Sequence, residues 1–308
     1  MKKILAISGG VDSMVMLDIL TKEYSRDIYH GTNMERNDYS FGDIIVAHFD
    51  HGVRDNSLED ALFVKTIAKD VYHIWYIGEK GNLGHTASEG QAREARYGFL
   101  RAAAEKYGGQ IYTAHHLDDL VETVIINLLR GTGWRGLACL DMQGVYRPFL
   151  EAIDIYEPMD KATILEYAAK RGLRFREDQS NSEMRYFRNR VRERLGEYSL
   201  EWEEKMELWN LWRRQKELKH EIDSIIRQML PSRGEKWQRK WFRELDSDEG
   251  GRKVALELLR AGLLEAGVKM TRPQLEDFRQ AILTSRPGKY FNLPKGRMVR
   301  LEKDEFII

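Results

Sequence analysis

Four short apolar runs in the first half of the chain constrain its fold more than any other feature. Ile4–Ile7, Ile44–Ala47, Tyr72–Ile77 and Gln110–Thr113 are β-branched or aromatic and give way to Gly, Ser, Asp or His. Between and after them lie stretches of helical pattern: Asp12–Glu23, Leu58–Lys69, Glu89–Tyr107 and Asp118–Leu129. Strands alternating with helices of this length need crossover connections, which predicts an α/β fold with a parallel sheet covered by helices on both faces. Strands of such a sheet are buried on both sides, which accounts for their unbroken apolar character. The polar, aperiodic stretch Arg26–Asp43 is long for a connection and reads as a flexible excursion.

The pattern changes near residues 195–200. At 308 residues the chain suits two domains, expected at 1–197 and 198–308. From Tyr198 to Met229 it is rich in Glu, Lys, Arg and Trp with helical periodicity, and Pro231 stops it. A helix is expected at Arg252–Glu265, and another after Thr271, which reads as an N-cap with Pro273 in the first turn. The tail reads as short antiparallel strands turning at Pro294–Gly296 and at Lys303-Asp304. The second domain is therefore expected to be small and mainly helical, ending in short strands, and to serve as an appended binding module.

Composition narrows the function classes. The formal net charge is zero, so no global field draws the chain to nucleic acid or anionic membrane, and a polyanion must be met by local basic patches. The lone cysteine, Cys139, rules out an internal disulfide and an all-cysteine zinc site. The amino-terminal apolar run breaks at Ser8-Gly9-Gly10, too early for a signal segment. No stretch approaches the ~20 apolar residues of a membrane span. A cytoplasmic protein without a membrane partner is expected.

Four clusters carry chemistry. Ser8-Gly9-Gly10-Val11-Asp12-Ser13 follows the first strand and opens a helix. Backbone N–H groups at such a turn, beside the positive end of a helix, attract phosphate. The glycines let the backbone approach closely, the serines add hydroxyls, and Asp12 is placed to orient the loop or hold Mg²⁺. The loop is neither a Walker A nor a dinucleotide-binding signature. By itself it also reads as a turn with capping serines.

His48-Phe49-Asp50-His51-Gly52-Val53-Arg54 follows the second strand, and Thr113–Thr123, containing His115-His116-Leu117-Asp118-Asp119 and Glu122, follows the fourth. Chemistry in a parallel sheet collects outside the carboxyl ends of its strands, so three clusters are expected to face one crevice. Asp119 and Glu122 share a helix face and suit a cationic substrate or a metal; helix capping and structural histidines are the blander alternatives. The fourth cluster, Glu177-Asp178-Gln179-Ser180-Asn181 followed by Met184–Arg194, packs Arg185, Arg188, Arg190, Arg192 and Arg194 around Tyr186 and Phe187. Arginine forks suit phosphate and carboxylate, and the aromatic rings suit base stacking; a solvated helix face is the alternative. The tryptophans of the second region read mostly as helix core.

SGGVDS resembles the pyrophosphate-binding loop of the PP-loop (N-type) ATP pyrophosphatases, whose fold is adenine nucleotide alpha hydrolase-like. Together with AHFDHGVR, EARYGFL, TAHHLDDLVET, RGTGWRGL, YRPFL, EDQSN and RNRVR, in order over residues 4–194, it resembles the tRNA(Ile)-lysidine synthetases. The chain ends after the first appended domain and so looks like a short form. The resemblance implies ATP-dependent joining of free L-lysine to C2 of the wobble cytidine of tRNA(Ile) with anticodon CAU. The route is an adenylylated cytidine, the products are lysidine, AMP and pyrophosphate, and the tRNA changes from Met to Ile identity. ATP as co-substrate and Mg²⁺ are the implied cofactors, the CAU tRNA and lysine the partners, with a homodimer left open.

Residue by residue, the resemblance implies that Ser8, Gly9, Gly10, Val11, Asp12 and Ser13 bind ATP, with Asp12 the Mg²⁺ ligand. Asp12, His115 and Asp50 fall at the catalytic centre. Asp119, Glu122 and Arg188 match lysine-binding positions, and Arg185, Arg190, Arg192 and Arg194 are placed for tRNA. Lysine's ε-amine, with an ordinary pKa near ~10.4, must lose a proton before it attacks.

Three rivals frame the expectation. A tRNA thiolation enzyme of the same fold handles sulfur through paired or cluster-bound cysteines, and this chain has only Cys139. An ammonia-using synthetase needs a glutaminase partner and gives no role to the carboxylates of DDLVET. A non-catalytic nucleotide-binding module does not need Asp12, His115, Asp119 and Glu122 together.

Overall fold

β1 (Lys2–Ala6), β2 (Ile44–Asp50), β3 (Trp75–Lys80), β4 (Gly109–Tyr112) and β5 (Val145–Tyr146) pair in parallel throughout, in the order β3-β2-β1-β4-β5. The computed structural model describes residues 1–29, 43–52, 57–81, 88–151, 157–176, 200–232 and 234–308. The chain divides into two compact units, Met1–Lys216 and Glu217–Ile308.

In the first unit the strands alternate with α1 (Val11–Tyr29), α2 (Ser57–Thr66) and its π-helical extension Ile67–Val71, α3 (Glu89–Tyr107), α4 (Leu117–Leu129), α5 (Trp134–Leu137) and α6 (Lys161–Arg171). One face of the sheet, through Leu5, Ile7, Ile44 and Val46, packs with α1, α2 and α6. The other, through Ile4, Ile45, Ala47 and Ile111, packs with Tyr97, Leu100 and Ala103 of α3. Each such leucine, isoleucine or valine removed from water stabilises the fold by roughly 1.5–3 kcal/mol. This is the helix-covered parallel sheet expected from the strand runs.

α3 has the bounds read from the sequence. Ser88 and Gln91 form a reciprocal capping box at its start, and Gly108, at φ +63°, ends it in the left-handed conformation that glycine tolerates. Elsewhere the structure corrects the expectation. α1 continues to Tyr29, so the first residues of the expected excursion, from Arg26, are helical; residues 30–42 lie outside the described residues. β3 is not buried on both sides, because it is the sheet's edge and leaves Trp75 largely exposed. β5 and α6 were not anticipated. β5 is too short to show a period, and α6 lies in a stretch whose apolar residues the sequence analysis did not resolve.

α7 (Trp202–Met229) begins in the first unit and contains the division between the two. On its first-unit part, Trp209 donates from Nε1 to the Leu150 carbonyl at 2.8 Å and Trp212 to the Cys139 carbonyl at 2.7 Å. Both are buried with Leu117, Leu120 and Val124 of α4. Their rings are core, as expected, and their N–H groups find the acceptors that buried indoles require.

The second unit holds the rest of α7, β6 (Trp237–Gln238), α8 (Arg239–Leu245), α9 (Glu249–Glu265), α10 (Arg272–Thr284), β7 (Lys289–Asn292), a 3-10 turn at Pro294–Gly296, β8 (Met298–Leu301) and β9 (Glu305–Phe306). Thr271 caps α10 reciprocally with Gln274, as its sequence position predicts. The terminal strands form an antiparallel sheet in the order β6-β9-β8-β7, with Trp237, Phe242, Leu258, Phe278 and Phe306 in its core. The pairing of β6 with β9 was not expected; Trp237 had no sequence signal for a strand.

Candidate active site

The strand order reverses direction between β1 and β4, and their carboxyl ends open onto the crevice where α/β sheets hold ligands. From β1 comes the loop Ser8–Ser13. Ser13 Oγ accepts the N–H groups of Ser8 and Gly9, each at 3.2 Å, and donates to the Gly10 carbonyl at 2.9 Å. Ser8 Oγ lies 3.2 Å from Ser13 Oγ. Gly9 adopts φ +96°, and a Cβ there would come within 3.2 Å of Val64 Cγ2 on α2. Its carbonyl accepts the Arg176 N–H at 2.9 Å, and the Arg176 guanidinium pairs with Glu59 and Asp60 at 2.8 Å each. The loop is thus wedged between α2 and the segment that follows α6, with its curvature set by a glycine.

From β4 comes the second wall. His116 is the N-cap residue of α4 and its imidazole is buried. Its Nε2 lies 4.0 Å from Asp12 Oδ1 and 3.6 Å from Asp119 Oδ2, and its Nδ1 lies 3.4 Å from Asp118 Oδ2. Burial is the largest influence and pulls its pKa down, but Asp118, Asp119 and Asp12 together hold it above the ordinary histidine value. His115 takes the opposite course. Its Nδ1 meets Thr113 Oγ1 at 3.0 Å. Burial, with Arg147, Arg96 and Arg93 adding to it against Asp119, pushes its pKa down to about 3. His115 is therefore a neutral imidazole near neutral pH, and His116 is the cation-prone one.

Asp119 and Glu122 lie one turn apart on α4, and Glu122 is buried. The Asp119 carboxylate accepts the His116 N–H at 3.2 Å. Asp118 faces away from this pair: its Oδ2 accepts the Lys161 N–H at 2.7 Å, and its Oδ1 lies 2.9 Å from Lys205 Nζ. Burial alone raises its pKa, but His116, Lys205 and the Lys161 N–H hold it well below the usual carboxylate range. Asp118 is thus held by Lys161 and Lys205, while the capping contact at the start of α4 falls to Asp119.

From β2 come His48 and Asp50, both buried. His48 Nδ1 lies 2.8 Å from the Ile7 carbonyl, tying the ends of β1 and β2 together. Asp50 Oδ1 accepts the Gly52 N–H at 2.8 Å and closes the turn after its strand. Val53, Arg54, Glu177–Asn181 and the arginines Arg185, Arg188, Arg190, Arg192 and Arg194 lie outside the described residues.

Sequence patterning missed two cations. Lys161, the first residue of α6, places Nζ 2.6 Å from Asp12 Oδ1. Lys205 on α7 bridges Asp118 and Asp160, at 2.9 Å from each. Neither carries a short-range signal, since each partner is remote in the chain. A third omission, Arg147, sits in the quoted YRPFL stretch; it is 1% exposed and its Nε and Nη2 have no hydrogen-bond partner among the described residues.

One carboxylate beside the loop, Asp12, has the chemistry of a magnesium ligand. Asp12 is partly exposed beside the loop, and among the described residues no cluster of three or more His, Cys, Asp or Glu builds a separate cage. Magnesium is commonly held by one or two carboxylates together with substrate phosphates.

Comparison with known proteins follows the same stretch of chain. The family model for the PP-loop domain (ATP_bind_3) matches residues 1–198. A tRNA(Ile)-lysidine synthase of Thermotoga sp. (strain RQ2) is 35% identical over 206 residues, covering 62% of this chain and 44% of that protein. A tRNA(Ile)-lysidine synthase of Geobacter sulfurreducens is 32% identical over 207 residues, 63% of this chain and 39% of that protein. The chain thus spans less than half the length of these curated relatives. Among solved structures, the U34-tRNA thiolase NcsA from Methanococcus maripaludis with its [4Fe-4S] cluster aligns with a TM-score of 0.51 and 18% identity. That alignment covers 70% of this chain and 72% of the thiolase, a likeness of fold. Among the described residues no helix is long and apolar enough to cross a membrane.

Proposed function

The chain belongs to the PP-loop domain family, and from that membership we propose that it is an ATP-dependent ligase joining free L-lysine to C2 of the wobble cytidine in a tRNA(Ile) with anticodon CAU. One observation carries the proposal. His116 Nε2 stands between Asp12 of the phosphate loop, at 4.0 Å, and Asp119 of the carboxylate pair, at 3.6 Å. A nucleotide held at the loop and an amine held at α4 therefore meet in one crevice. The similar proteins named tRNA(Ile)-lysidine synthase support tRNA(Ile) as the substrate.

In the proposed reaction the cytidine O2 bonds to the α-phosphorus of ATP and pyrophosphate leaves. The lysine ε-amine then bonds to C2, the C2–O bond breaks, and AMP departs with the former O2 as one of its phosphate oxygens. The turn from the loop Ser8–Ser13 into α1 presents backbone N–H groups to the phosphates, while Ser13 Oγ holds the loop's curvature through the Ser8 and Gly9 N–H groups. Magnesium, bound through Asp12, would neutralise charge on the pyrophosphate leaving group. Asp119 and Glu122 attract the lysine ammonium and align its amine. His115, neutral in its setting, is a hydrogen-bonding group at the adenylylation centre rather than a fixed charge. Asp50 shapes the β2 end of the crevice, and Arg188 is assigned to the lysine carboxylate. Arg185, Arg190, Arg192 and Arg194 are assigned to tRNA phosphate, and residues 198–308 to tRNA binding.

Pyrophosphate release tests the proposal. It is expected with ATP and CAU tRNA, and AMP release is expected only when lysine is added as well. AMP release that proceeds with tRNA but ignores lysine would point to a different nucleophile.

A further inference from the structure

Residues 286–301 hold five cations, Arg286, Lys289, Lys295, Arg297 and Arg300, and no acidic residue, in a chain whose formal net charge is zero. They form the β7–β8 hairpin and the turn that leads into it. All five residues are exposed. Arg297 donates to the Ala266 carbonyl, and Arg300 pairs with Glu302 at 2.9 Å. The side chains of Arg286, Lys289 and Lys295 have no partner among the described residues.

The register sorts the hairpin into two faces. Phe291 and Val299 pair on the inner one and pack into the core of the second unit. On the outer one Tyr290 stands opposite Arg300 and Asn292 opposite Met298, and all four are exposed. The Arg300 guanidinium lies 5.9 Å from the centre of the Tyr290 ring, which orders the cation on that face. At the tip Lys295 takes φ +62°, a left-handed conformation in which glycine or asparagine is the easier residue. β7 is also an edge of its sheet. Protecting an edge from pairing takes charge of either sign, and it gives no role to an exposed tyrosine and methionine beside cations of one sign.

We propose that the outer face and tip of the β7–β8 hairpin bind the ribose-phosphate backbone of tRNA, adding affinity without reading sequence. The inference rests on the proposed tRNA substrate and narrows the second region's part in binding to one surface. Clustered cations with no acid among them give a polyanion the local footprint that a neutral chain lacks as a whole. Contacts to phosphate position an RNA, whereas contacts to bases specify it. The hairpin therefore holds tRNA in general, and selection of the CAU anticodon falls to other residues.

The test is equilibrium binding of the full chain to CAU tRNA and to a tRNA of another anticodon over a range of salt. Lys289→Gln/Lys295→Gln is expected to flatten the slope of log affinity against log salt by about two, and to weaken both tRNAs roughly ten- to a hundredfold at ~0.1 M salt. Lys65→Gln/Lys69→Gln removes the same charge from exposed positions of α2 and its extension and should leave the slope unchanged. In turnover the hairpin variant should raise the KM for tRNA and leave that for lysine as it was. A wild-type slope in the hairpin variant overturns the inference, as does an equal fall in the α2 variant or a loss confined to CAU tRNA. Undiminished tRNA binding with reduced binding to anionic phospholipid vesicles assigns the face to a membrane surface and overturns it too. Failure of the wild-type chain to bind either tRNA overturns this inference and the proposed function together. Salt slopes that behave as expected without lysidine formation overturn the proposed function alone.

Discussion

His115 and His116 are neighbours in the chain whose imidazoles face opposite electrostatic surroundings. His115 meets Thr113 and feels Arg147, Arg96 and Arg93, whereas His116 lies within 4.0 Å of carboxylates of Asp12, Asp118 and Asp119. One step of backbone at the start of α4 thus separates a neutral hydrogen-bonding group from an imidazole whose pKa the surrounding aspartates raise, set between two walls of the crevice.

Histidine-selective NMR should resolve the two. His115 is expected to stay neutral from pH 8 down to about 4, with its pKa near the value of about 3 set by burial and the arginines. His116 is expected to titrate above the ordinary histidine pKa. Arg147→Met should raise the His115 value by removing a nearby positive charge. The stability consequences have opposite signs. The contribution of a neutral His115 is present above the ordinary histidine pKa and is lost as pH falls toward about 3. That of His116 is present below the ordinary value and is lost as pH rises through the raised one. Urea midpoints against pH, for the wild type and for His115→Gln, check the acid side.

Asp12→Ala should abolish tRNA-dependent pyrophosphate release. Glu122→Ala should retain that release and mainly raise the lysine concentration needed for turnover. The two halves of the reaction are then separable, because Asp12 lies at the loop and Glu122 on α4. Normal adenylylation by Asp12→Ala would contradict the loop assignment.

Gly9→Ala should lower stability by about 1–2 kcal/mol and weaken nucleotide binding, since its backbone is at φ +96° and the added methyl would press on Val64. Gly10→Ala is the control: its nearest contact would be Ser8 Oγ at 3.6 Å, and its φ is not positive. Chemical denaturation of both variants measures the difference.

Lys205→Met should destabilise the first unit by about 1–3 kcal/mol, because it leaves the Asp118 and Asp160 carboxylates without their shared ammonium. The Asp118 pKa, now held low, should rise. Its stabilising contribution, present above the ordinary aspartate value and lost on acidification, should shrink with it. Comparing denaturation midpoints near neutral pH and at acid pH reads both effects.

Features set by local chemistry were legible in the sequence. The phosphate loop shows itself because a tight strand-to-helix turn needs Gly9, and Asp119 and Glu122 share a face through helical spacing alone. Thr271 announced its helix by capping pattern. What depends on distant partners was not legible. Lys161 meets Asp12 across 149 residues, and Lys205 bridges Asp118 and Asp160 from another helix. The burial of Arg147 and the opposed environments of the two histidines likewise follow from packing that no local pattern records. β5, two residues long, exists only because β4 offers it a partner.

The most direct measurement supplies the purified chain with ATP, Mg²⁺, isotopically labelled lysine and tRNA bearing a CAU anticodon, then digests the tRNA and identifies its nucleosides by mass spectrometry. The account predicts label in a single modified cytidine, lysidine at the wobble position, formed only when ATP is present. Unmodified wobble cytidine despite intact ATP binding would contradict it.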